Sequence, residues 1–82
     1  MHVTIDTASR EEAELIAPML PYEAKARSVR GFGFIRLRCR NKAETQVVLE
    51  VVGAGAARLE LAWIRVRWED EERIFRYGRP SF

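Results

Sequence analysis

Residues 30 to 40, Arg-Gly-Phe-Gly-Phe-Ile-Arg-Leu-Arg-Cys-Arg, alternate between two chemistries. Arg30, Phe32, Phe34, Arg36, Arg38 and Arg40 fall on one parity; Gly31, Gly33, Ile35, Leu37 and Cys39 fall on the other. Successive side chains of a strand point to opposite faces, so this segment predicts one face of rings and guanidinium groups and one small, apolar face. Leu59 to Trp68 repeats the pattern, with Trp63, Arg65 and Arg67 on one side and Ala62, Ile64 and Val66 on the other. Flat rings on a rigid sheet stack unpaired bases, at about 1–3 kcal/mol per base, and arginines beside them neutralise phosphates. The residues placed for such work are Arg30, Phe32, Phe34, Arg36, Arg38, Trp63, Arg65 and Arg67.

Other elements must hold these two strands. Residues 2 to 6 read as a short strand with Val3 and Ile5 on one face and His2 and Thr4 on the other. Ser9 and Glu12 have the spacing of a capping box, and a helix of about ten residues should follow, burying Ala13, Ile16, Ala17 and Leu20 before Pro18 and Pro21 end it. Residues 22 to 29 read as a polar edge strand. Asn41 and Glu44 form a second capping pair, which favours a helix over residues 41 to 54 with Ala43, Val47, Val51 and Ala54 on one face; the valine-rich run 47 to 52 also suits a strand. Gly53 and Gly55 then read as a stop and a turn. Glu69 to Glu72 reads as an acidic turn, residues 73 to 77 as a last strand, and residues 78 to 82 as a loose tail.

The order predicts a single α+β domain over residues 1 to 77. Its architecture is a ferredoxin-like βαββαβ sandwich, an antiparallel sheet with two helices on one face, plus an extra C-terminal strand. The alternative, if the valine run is extended, is one helix with a curled antiparallel meander.

Length and composition bound the function. Eighty-two residues suffice for one small core. The net charge of +2 conceals an uneven distribution: residues 30 to 68 carry eight basic and three acidic groups, whereas both flanks are net acidic. Twelve of the fourteen cations are arginine, a side chain that forks phosphate and stacks on rings. A single cysteine, Cys39, excludes an intramolecular disulfide framework and a cysteine-based zinc site, and its parity places it in the core as an inert thiol. No nucleophile accompanies Asp6 and His2, and Gly31-x-Gly33 lies within a strand rather than at a strand-to-helix turn. The expectation is therefore a non-catalytic protein without a cofactor or bound metal. No apolar run has the roughly 20 residues that a membrane helix needs, and a cytoplasmic location without membrane association is expected.

Residues 30 to 37, Arg-Gly-Phe-Gly-Phe-Ile-Arg-Leu, resemble the ribonucleoprotein octapeptide of the RNA recognition motif family. That signature runs basic, Gly, aromatic, Gly or Ala, aromatic, aliphatic, any, and aromatic or aliphatic. In that family it occupies the third strand of a βαββαβ fold, where the strand pattern independently puts it here. The resemblance implies that Arg30 contacts phosphate and that Phe32 and Phe34 stack on base or ribose. The companion aromatic of the family's first strand has Thr4 in its place. The opening strand and helix, as far as Leu20, also resemble the small dimeric subunit of the tRNA-modifying KEOPS complex.

Two partner classes follow. The leading expectation is single-stranded RNA or DNA, RNA favoured, on the aromatic and arginine face. The rival is an assembly module, a homodimer, inhibitor or small subunit, that buries the same face against protein, because rings and arginines are enriched in such interfaces too.

Overall fold

Alternating burial along three of its strands organises the chain. In the computed structural model, which describes residues 1–81, β1 (His2–Thr7) buries Val3, Ile5 and Thr7, and β3 (Phe32–Arg38) buries Gly33, Ile35 and Leu37. The hairpin partner β2 (Ala26–Val29) is short and exposed, β4 (Ile64–Trp68) buries Ile64 and Val66, and β5 (Glu71–Arg76) buries Phe75. A sixth strand, β6 (Arg79–Ser81), completes one antiparallel sheet in the order β2-β3-β1-β4-β5-β6. Two helices, α1 (Arg10–Ile16), continued by a 3₁₀ turn at Ala17–Met19, and α2 (Lys42–Arg58), cover the face that holds the buried residues. The protein is thus a mixed α+β structure with a single core between helices and sheet.

Both helices start as the sequence indicates. Ser9 caps α1, its Oγ accepting from the Glu12 amide at 3.3 Å, and Asn41 caps α2, its Oδ1 accepting from the Glu44 amide at 3.0 Å. The Glu44 carboxylate reaches back to the Arg40 amide at 2.8 Å and the Arg40 Nε at 2.9 Å, and these bonds hold its carboxyl below the usual range. Ala13, Ile16 and Leu20 are buried as expected, and so is Cys39, whose thiol pKa burial pushes up.

Several expectations need correction. Residues 45 to 52 are helical, which removes the meander alternative. The buried face of α2 is Thr45, Val48, Leu49, Val52 and Ala56, not the line Ala43, Val47, Val51 and Ala54; Ala43 and Ala54 are exposed, and Val47 largely so. Gly53 and Gly55 do not stop this helix. They lie inside it as close-approach positions, because a Cβ on Gly53 would sit 2.9 Å from the Phe75 ring and one on Gly55 2.8 Å from the Met19 sulfur. The helix therefore runs to Arg58, and the strand expected from Leu59 starts only at Ile64. The edge strand expected over residues 22 to 29 keeps only Ala26–Val29.

Within the loose tail expected at 78 to 82, Arg79–Ser81 instead forms a strand, paired to β5 through Arg76–Arg79, Phe75–Pro80 and Ile74–Ser81; Phe82 lies outside the described residues. Two strands, not one, thus extend the sheet beyond β4. An outer strand tolerates Pro80 because no neighbour beyond it needs the missing N–H. Tyr77 is 63% exposed at the β5–β6 turn.

Candidate nucleic-acid interface

The helix-free face of the sheet is built from the parity that the core leaves over. Strand pairing arranges it in rows. Arg27, Phe34, Asp6, Arg65 and Ile74 stand abreast on β2, β3, β1, β4 and β5, and Arg36, Thr4, Arg67 and Glu72 form the neighbouring row. A third row, at the end where β3 begins, pairs Val29 with Phe32. Phe32 is 56% exposed and Phe34 half-buried, both on the side away from the helices. The reason is visible behind them. Gly33 faces inward, where a Cβ would run into the Ser9 carbonyl oxygen and the Thr7 hydroxyl. No larger residue fits between the two phenylalanines, so this strand can lie against the start of α1 only with its rings outward.

This face holds a shallow concavity of about 760 Å³. Its rings are Phe32, Phe34 and Trp63, its cations Arg30, Arg36, Arg65, Arg67 and Arg76, and its apolar rim Val29 and Ile74. Seven of the eight expected residues therefore come together. Arg38 does not join them; it shares the open face but lines a second groove with Lys25, Arg27 and His2, on the far side of Phe34 and Arg36. Trp63 lies just before β4 rather than in it and is half-buried, whereas Trp68 packs toward the core.

Arg30 is not on the strand. With Gly31 it forms the two-residue β2–β3 turn, at φ values of 50° and 86°. Positive φ at both central residues is the signature of the type I′ turn, whose twist matches the flanking strands and whose first position favours Asn, Asp or Gly. An arginine there accepts a left-handed backbone that costs roughly 1–2 kcal/mol. The turn carries its guanidinium to the lip of the concavity.

Sequence reasoning missed Asp6, Arg76 and Ile74. Asp6 changes the electrostatics most. Its Oδ2 accepts from Arg65 Nε at 3.0 Å and from Arg67 Nε at 2.7 Å, while its Oδ1 accepts from Arg67 Nη2 at 3.0 Å. Two of the expected phosphate ligands are thus already paired to one carboxylate, whose side chain is only 15% exposed. Strand alternation could have placed Asp6 on this face beside Thr4, but its partners lie 59 and 61 residues away and only the sheet order reveals them. The concavity still carries five arginines against one aspartate.

Among the described residues, no three His, Cys, Asp or Glu side chains gather as metal ligands, and no helix is long and apolar enough to cross a membrane. No protein family, curated protein or solved structure matches the chain.

Proposed function

We propose that this protein binds single-stranded nucleic acid, RNA by preference, on the open face of its sheet, without catalysis. One observation carries the reading: Phe32 and Phe34 stand on the helix-free face in a concavity with Trp63 and five arginines. Rings on a sheet read the π faces of bases that a duplex would keep stacked, and guanidinium groups at the margin take the phosphates. In this reading Phe32 and Phe34 are the stacking platforms, Trp63 a third, Arg30 and Arg36 the first phosphate ligands, and Arg65 and Arg67 act with the charge that Asp6 leaves them. Arg38 serves a strand continuing into the second groove.

The octapeptide at 30 to 37 and the order β2-β3-β1-β4 both support a likeness to the RNA recognition motif. We read the first four strands and two helices as a ferredoxin-like unit that β5 and β6 widen. The test is the double variant Phe32→Ala, Phe34→Ala. Loss of binding to a labelled single-stranded oligonucleotide, with thermal stability nearly unchanged, supports the reading; unchanged binding refutes it.

A second reading rests on one feature. Val29 and Phe32 are paired across the β2–β3 hairpin and both more than half exposed. An apolar pair beside an unpaired outer strand suits a protein partner, and it predicts association of the protein without any salt-sensitive affinity for oligonucleotides.

A further inference from the structure

Among the described residues lining the concavity, Asp6 is the single acid. It stands on the central strand, directly across from Phe34 on one side and Arg65 on the other. A carboxylate offers about four acceptor positions, and three are taken by arginine donors at 2.7 to 3.0 Å. The arginine side chains remain 40% and 47% exposed above it. Three charged groups therefore present a net charge of +1 at the middle of the face, whereas Arg30, Arg36 and Arg76 around the concavity make no ion pair with a described residue.

We infer that Asp6 is a specificity-determining residue: it weakens the centre of the face as a phosphate site, so that bases settle there and phosphates stay at the margin. The inference rests on the proposed function and deepens it. Phe34, the platform for a base, stands one strand spacing, about 4.8 Å, from Asp6. The edge of that base, not its phosphate, then meets the Asp6–Arg65–Arg67 cluster. A polyanion without bases has nothing to stack and relies on the charge alone. Asp6 therefore penalises polyphosphates, heparin-like chains and duplex backbones more than it penalises an unpaired strand. The occupant it selects is a chain that carries flat rings as well as charge.

The experiment compares inorganic polyphosphate with a ten-nucleotide single-stranded RNA as ligands of wild type and of Asp6→Asn. The amide keeps the shape and removes the charge. Affinity for polyphosphate rises at least about threefold, the effect of one unit charge at roughly 6 Å in water. Affinity for the RNA rises less, so the ratio of the two falls. One further phosphate engaged steepens the salt dependence on polyphosphate: between 50 and 200 mM salt the variant loses roughly 2.5-fold more affinity than wild type.

Arg67→Gln provides the opposite case and does not depend on Asp6→Asn folding. It leaves Asp6 and Arg65 as a neutral pair, so polyphosphate affinity falls more than RNA affinity and the ratio rises. A ratio unmoved by either variant overturns the role given to Asp6, as does an equal loss of both ligands in Asp6→Asn. A wild-type protein with no RNA affinity overturns the proposed function and this inference with it.

Discussion

The two faces of the sheet use the same strands to opposite ends. On the helix side, β1, β3 and β4 present Val3, Ile5, Ile35, Ile64 and Val66 with no exposure at all. Every buried side-chain N or O atom on the described residues has a hydrogen-bond partner. On the other side, the same strands present Phe32, Phe34, Arg36, Arg65 and Arg67, half-buried or exposed and away from the helices. One residue over in sequence is the whole distance between them. Under the proposed function, stability and recognition are separable here: changes at odd positions of β3 should cost folding, and changes at even positions should cost binding.

The largest expected effect is on the open face. Replacing both Phe32 and Phe34 by alanine removes two platforms, each worth about 1–3 kcal/mol in oligonucleotide binding. A labelled-strand titration should therefore lose at least thirtyfold in affinity while the melting temperature hardly moves. A drop of many degrees would mean that the rings belong to the core after all.

The inward neighbour should behave in the opposite way. Gly33→Ala drives a methyl group against the Ser9 carbonyl at the start of α1 and the Thr7 hydroxyl at the end of β1, which are bonded to each other. Overpacking of this kind costs roughly 1–3 kcal/mol, read by denaturant unfolding. If the variant is as stable as wild type, the close approach of β3 to the α1 start is not what turns the rings outward.

How far the sequence revealed this division depends on the element. β3 was legible because its two parities differ completely in chemistry, and α1 because Ser9, Glu12 and the prolines mark both ends. The face of α2 was not. Val47 and Val51 dilute its polar side, and two of its buried positions are Gly53 and Gly55, whose role is to admit Phe75 and Met19. Read locally, they are helix breakers; only the neighbour in space explains them. β6 was hidden for a similar reason, since Arg-Pro-Ser has no strand pattern and pairs on one side only. For the candidate site, the rings and most arginines were visible as a pattern, whereas the Asp6 pairs and Arg76 depend on sheet order.

The β2–β3 turn sharpens the comparison at a smaller scale. Arg30→Asn gives the left-handed position a residue that tolerates it, and should raise stability by up to about 1 kcal/mol. The same change removes a guanidinium from the lip, so oligonucleotide affinity should fall modestly. Stability and binding moving in opposite directions is the signature; a fall in both would mean that Arg30 supports the hairpin.

The smallest effect concerns the cap of α2. The Glu44 carboxyl is held below its ordinary range by the Arg40 amide and guanidinium, so its contribution to stability is present above the unfolded pKa of about 4.3 and is lost as pH falls through the lower folded value. Glu44→Gln should flatten that part of the acid unfolding curve and leave oligonucleotide binding at neutral pH unchanged.

The most direct measurement is a salt titration of a fluorescent single-stranded RNA against the wild-type protein, with particle size followed by light scattering. Three or four phosphates engaged at the margin predict that log affinity falls against log salt with a slope of about −2 to −3. Stacking should leave measurable affinity at high salt, and the protein should keep the same size throughout. No binding at low salt, or association of the protein that ignores the RNA, would contradict the account.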